Sequence, residues 1–91
     1  DPDAFYREAA LIHCSLALFL TGNYGESARV STLYMNEYTN GELAPYALLI
    51  AGKSYKGLGN KSEAKRCFNR IVNEYKQAGV YQYAVEELKG M

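Results

Sequence analysis

Shifting the sequence against itself by 37 residues brings like residues into register along most of its length. Ala10-Leu11 falls on Ala47-Leu48, Gly22-Asn23 on Gly59-Asn60, Glu26 on Glu63, and Arg29 on Arg66. Asn36-Glu37-Tyr38 falls on Asn73-Glu74-Tyr75, and Tyr46-Ala47 on Tyr83-Ala84, so a third copy has begun where the chain ends. Agreement at so many places marks an internal repeat, and a period of this size means a solenoid of stacked units.

Each unit reads as two helices. Leu48, Ala51, Gly52 and Tyr55 recur at helical spacing before Gly57-Leu58-Gly59 breaks the pattern. Asn60, with Glu63 three residues on, has the form of a capping box, and Asn23 with Glu26 repeats it. After Asn60, the residues Ala64, Cys67, Phe68, Ile71, Val72 and Tyr75 trace one helical face. The links 39–44 and 76–80 contain Gly41 and Gly79 as helix stops, and Pro45 suits the first turn of a helix. The pattern predicts five helices, at roughly 3–21, 24–38, 45–57, 61–77 and 81–89. Strand signals are absent. The expected architecture is all-α: one domain over 1–91, with repeat 1 about 8–44, repeat 2 about 45–81, and a partial third repeat or capping helix at 81–91.

At 91 residues the chain is near the lower limit for a self-sufficient core. Apolar content of 48% against 22% charged places it among soluble globular chains. A formal net charge of zero gives no global field toward nucleic acid or an anionic membrane. Two cysteines without repeated spacing exclude a disulfide scaffold and a zinc ribbon. With Asp1 rather than Met in first place, the chain reads as a processed or excised piece, any leader, anchor or neighbouring domain lying beyond it. The apolar run ALIHCSLALFL at 10–20 stops at Thr21-Gly22, short of the roughly 20 apolar residues a spanning helix needs. Arg7 and Glu8 lie just upstream, and no direct membrane insertion is expected.

These residues resemble the tetratricopeptide repeat family. In the second unit Leu48, Ala51-Gly52, Tyr55, Gly59, Ala64, Phe68 and Ile71 stand where the family places large, small, aromatic, turn, small, aromatic and packing residues. The first unit follows with Leu11, Cys14-Ser15, Leu18, Gly22, Ser27, Ser31 and Tyr34. Ser31 departs from the family, which has a large side chain there, so the first helix pair is expected to be less well filled. Thr39 and Lys76 occupy the places of the usual proline. The usual period is 34; the longer period here and the ending at 68–88 are similar to a bacterial cell-envelope subgroup. That subgroup includes the Tol–Pal-associated periplasmic protein and the lipoprotein of the outer-membrane assembly machine. The resemblance implies a helix-turn-helix solenoid serving as a protein-interaction scaffold, with no cofactor. It further implies an inner surface built from Ile12, Leu16 and Phe19, then Leu49, Lys53 and Lys56, then Tyr83 and Glu86.

No catalytic constellation can be assembled. His13 and Cys14 are neighbours, so on a helix their side chains diverge by about 100° and form no nucleophile–base pair. Cys14 aligns with Ala51, where a small buried packing residue is expected, and Cys67 is expected in the core. The lone His13 has no carboxylate at i+3 or i+4 to help hold a metal. Gly57 and Gly59 follow no strand and precede no Gly-Lys-Ser/Thr, so they read as turn residues. Tyrosines 34, 38, 55 and 75 fall at packing positions, whereas Tyr81 and Tyr83 are better placed to meet a partner.

Charge is unevenly spread. Residues 1–44 carry six acidic and two basic side chains, and residues 53–76 carry seven basic and two acidic. A solvated helix face accounts for this, as does an electropositive patch for an acidic peptide or another copy's acidic end. Nucleic acid is not expected as a partner, because the domain-wide basic excess is missing. The reading is a non-catalytic module in which the apolar end anchors a partner's hydrophobic side chains and the two lysines bind nearby carboxylates. The alternatives are a homo-oligomer that buries the apolar first helix against another copy, or flanking repeats that cover it.

Overall fold

The computed structural model describes residues 2–91; Asp1, one of the six acids counted in the first half, lies outside the described residues. Five helices follow in order: α1 (Pro2–Leu20), α2 (Tyr24–Glu37), α3 (Ala44–Gly57), α4 (Lys61–Glu74) and α5 (Tyr81–Lys89). No strand occurs among the described residues. Each helix packs on the next in the chain, and α1 also meets α3. The all-α helical repeat expected from the pattern, and the tetratricopeptide-like form implied by the resemblance, are the architecture observed.

One boundary differs from expectation. The apolar pattern carried the fourth helix to 77, but α4 stops at Glu74. Its counterpart Glu37 also ends its helix, and in both units a tyrosine (Tyr38, Tyr75) leaves helical geometry while its N–H still bonds back to Tyr34 or Ile71. The repeat is thus a better guide to this boundary than the run of apolar residues.

The turns inside the units are set by Gly22 (φ +83°) and Gly59 (φ +80°), left-handed positions that favour glycine. In each, the following asparagine N–H reaches back to the last turn, Asn23 to the Leu18 carbonyl and Asn60 to the Tyr55 carbonyl, both at 2.8 Å. This is the Schellman ending. Gly41 and Gly79, expected to act as stops, have no positive φ. Gly41 matters for another reason: a Cβ there would collide with the Tyr34 hydroxyl and the Glu8 carboxylate.

The two capping boxes are not closed. Asn60 Oδ1 accepts from the Glu63 N–H at 3.2 Å, but Asn23 makes no side-chain cap bond and donates instead to Thr21 Oγ1 at 3.0 Å. Neither glutamate reaches back, because Glu26 pairs with Arg29 at 3.0 Å and Glu63 with Arg66 at 3.5 Å. The Arg29 hydrogen bond and charge hold the Glu26 carboxyl below its usual range. Asn60→Ala should therefore cost about 1 kcal/mol in urea denaturation. Asn23→Ala should stay within about 0.5 kcal/mol of the parent.

The two units fill their interiors by different means. In the second, Leu48, Ala64, Phe68, Ile71, Val80 and Ala84 form one buried apolar cluster. Gly52 is bare of a side chain because the Phe68 ring occupies that space; a Cβ would lie 2.5 Å from ring atom Cε1. In the first unit the matching residues are Ser15 and Ser31, both fully buried. Hydroxyls take over there. Ser27 Oγ donates to the Ser15 carbonyl at 2.6 Å, Ser31 Oγ to the Ser27 carbonyl at 2.9 Å, and Ser54 Oγ to Ser27 Oγ at 3.0 Å. Small side chains let α1, α2 and α3 converge, and no buried side-chain polar atom among the described residues lacks a partner. The smaller apolar cluster of Tyr34, Ala44 and Ala47 completes the core.

Candidate functional site

Helices α1, α3 and α5 are tied along one surface by two cationic contacts. Lys53 Nζ sits 5.5 Å from the centroid of the Phe19 ring, joining α3 to α1. Lys56 Nζ lies 2.8 Å from Glu87 Oε1, joining α3 to α5. A lysine over an aromatic face gains about 0.5–1 kcal/mol at an exposed site and keeps its ammonium hydrogens available to a carboxylate. The Lys56 ammonium already has an acidic partner. Among the described residues Lys53 forms no ion pair, so the two lysines are not equivalent.

The other residues implied for this surface differ in exposure. Leu16 is 39% exposed and Tyr83 65%. Glu86 is exposed and lies 3.5 Å from Lys89. Phe19 is half-buried, its ring 5.5 Å from that of Tyr24. Ile12 and Leu49 are half-buried, Ile12 packing on the cluster of Tyr34, Ala44 and Ala47 and Leu49 on the cluster that holds Leu48 and Phe68. Ile12 is thus part of the packing rather than bare. Glu87 was missed by sequence reasoning. Its partner lies 31 residues away, a separation that no local pattern encodes.

Two expectations about cysteine divide. Cys67 is half-buried against the cluster that holds Leu48 and Phe68, and burial, aided by the Glu63 carboxylate, pushes its thiol up to about 11. Cys14, expected to be buried like Ala51, is exposed. Ala51 is covered because α3 packs closely against both α2 and α4, whereas α1, among the described residues, packs closely on α2 and more lightly on α3. At pH 8 a maleimide should label Cys14 well before Cys67, as peptide mapping would show.

On the opposite side, α2 and α4 flank a groove of about 230 Å³ floored by Leu48, Ala51 and Tyr55 of α3. Arg66 and Arg70 line it, but they pair with Glu63 and Glu74. No group of three His, Cys, Asp or Glu side chains is arranged to hold a metal among the described residues. No described helix is long and apolar enough to cross a membrane. The α1–α3–α5 surface offers apolar contact at Leu16 and Phe19 beside the Lys53 ammonium and the exposed Tyr83 phenol.

Comparison with known proteins adds one finding. Residues 46–78, covering α3 from its third residue, all of α4 and most of the following link, match the tetratricopeptide repeat family model. No curated protein and no solved structure matches the chain.

Proposed function

We propose, with a tetratricopeptide repeat at 46–78 as the premise, that this chain is a non-catalytic protein-interaction module whose α1–α3–α5 surface binds a segment of a partner protein. Such repeats generally mediate protein–protein interaction. The observation that carries the reading is Lys53, an ammonium without an acidic partner among the described residues, on the same surface as exposed Leu16 and Tyr83. A partner segment would set an aliphatic side chain against Leu16 and the Phe19 edge and a carboxylate on Lys53. Tyr83 would supply further contact area at low entropic cost. Lys56 would take part only by exchanging Glu87 for a partner's acid. The period and the ending at 68–88 support a bacterial cell-envelope subtype, and nucleic acid has no part in the proposal.

Peptides selected from a random display library against the chain should be enriched in an aliphatic–acidic pairing. Lys53→Glu and Leu16→Ser should each weaken the best of them by at least about tenfold, a loss typical of a central contact, with the circular dichroism of the chain unchanged. Ile12 is unsuited to this test because its substitution would disturb the core. Peptides that bind both variants as they bind the parent would sink the proposal.

A further inference from the structure

The formal charge of zero conceals a separation of charge along the helices. The turns at 21–23 and 58–60 lie side by side, because the Tyr24 ring presses on Gly57, where a Cβ would come 2.7 Å from ring atom Cδ2. The last turns of α1 and α3 and the first turns of α2 and α4 meet at this end, and the Lys56–Glu87 pair brings the last turn of α5 to it. Among the described residues every acid here has a basic partner: Glu26 has Arg29, Glu63 has Arg66, Glu87 has Lys56 and Glu86 has Lys89. Lys53, Lys61 and Lys65 are left over, with no ion pair among the described residues. The other end, where the links 39–44 and 76–80 lie, is acidic. There Asp3, Glu8, Glu37, Glu42 and Glu74 outnumber Arg7, Arg70 and Lys76.

Two aliphatic side chains stand at the basic end. Leu20, 72% exposed, precedes the first turn, and Leu58, 52% exposed, opens the second. They are the two most exposed leucines among the described residues. The fold requires neither of them. The offset of 37 puts Gly57 in the place of Leu20 and Thr21 in the place of Leu58, so each unit does without the leucine that the other displays. Beside them Lys61 and Lys65, one helical turn apart on the same face of α4, are both exposed.

We propose that this turn end docks on the surface of an anionic bilayer. Leu20 and Leu58 settle at the boundary of headgroups and acyl chains, while Lys61 and Lys65, with Lys53 behind them, meet acidic headgroups. Charge complementarity selects this occupant. A negative surface draws the basic end and repels the acidic one, so the chain is oriented as it approaches. The leucines separate a bilayer from a soluble polyanion, since an aliphatic tip gains only where it leaves water. No helix enters the hydrocarbon core in this arrangement. The inference does not rest on peptide recognition by the α1–α3–α5 surface, and its test alters no residue placed on that surface.

Vesicles of phosphatidylcholine with about one-third phosphatidylserine should carry the full chain down on sedimentation, and phosphatidylcholine alone should carry little. Lys61→Glu combined with Lys65→Glu should lower the partition coefficient by at least about tenfold. Leu20→Ser combined with Leu58→Ser should lower it by at least about fivefold. All four side chains are exposed, so the circular dichroism of both variants should match the parent. Lys76→Glu, at the acidic end, should leave partitioning unchanged. The chain has no tryptophan, so Leu58→Trp supplies a single reporter whose emission should move to the blue on the anionic vesicles. A chain that fails to sediment, full partitioning by the leucine pair, an unmoved emission or an equal loss in Lys76→Glu overturns the proposal. So does self-association without vesicles that the lysine pair abolishes, since the acidic end of a second copy would then be the occupant.

Discussion

Phe68→Ala is expected to lower stability by about 3–5 kcal/mol, a large part of the roughly 5–15 kcal/mol that holds a typical domain folded. The ring is fully buried among Leu48, Ala64 and Ile71, and it fills the space left by the missing side chain of Gly52. Truncation would leave a void between α3 and α4 that two helices fixed by the Gly57–Asn60 turn cannot close. The matching substitution in the first unit, Ser31→Ala, removes one hydroxyl bond to the Ser27 carbonyl and should cost only about 1 kcal/mol. Urea denaturation of both variants tests the contrast. Equal losses would mean that the two units fill their interiors in the same way, against the packing described. A companion substitution, Gly52→Val, should cost about 1–3 kcal/mol through overpacking, and less in a Phe68→Leu background.

Tyr34→Phe is expected to be the second most damaging of these changes, at about 1.5–3 kcal/mol near neutral pH. Tyr34 is fully buried, and its hydroxyl does two things at once. It donates to Glu8 Oε1 at 2.6 Å, tying α2 to α1, and accepts the Leu43 N–H at 3.0 Å, tying α2 to the start of α3. Removing the hydroxyl leaves the Leu43 N–H and the Glu8 carboxylate without that partner. Burial first, and the bond to Glu8 second, push the phenol well above its ordinary value. The fold therefore favours the neutral phenol. Its contribution is whole below the unfolded value of about 10 and is lost as pH rises past it. Parent stability should fall between about pH 9.5 and 11.5, and the Tyr34→Phe variant should fall less steeply over the same range. Parallel slopes for the two proteins would place the alkaline transition at another group.

Local chemistry made most of the helices legible. Gly22 and Gly59 end their helices through a backbone conformation that favours glycine, and Asn60 caps with its own side chain, so their sequence neighbourhoods carry the signal. Burial was less legible because it depends on what stands beyond the helix. Cys14 and Ala51 share a position in the repeat, yet one is exposed and the other buried. Side-chain pairing across the solenoid was hidden for the same reason. Nothing near Lys56 in the sequence shows that Glu87 will neutralise it, and nothing near Phe19 shows that Lys53 will lie over its ring. The serine cluster is an instructive middle case. Ser31 could be seen to break the pattern, but the answering hydroxyls of Ser27 and Ser54 come from different helices.

The most direct test of the functional reading is amide and side-chain chemical-shift mapping of the isotope-labelled chain with a peptide selected for binding. The account predicts that the largest changes fall on Leu16, Phe19, Lys53, Tyr83 and Glu86, and that Lys53→Glu removes them. Changes concentrated instead on Thr32, Asn36, Arg66 and Arg70, in the groove between α2 and α4, would contradict it.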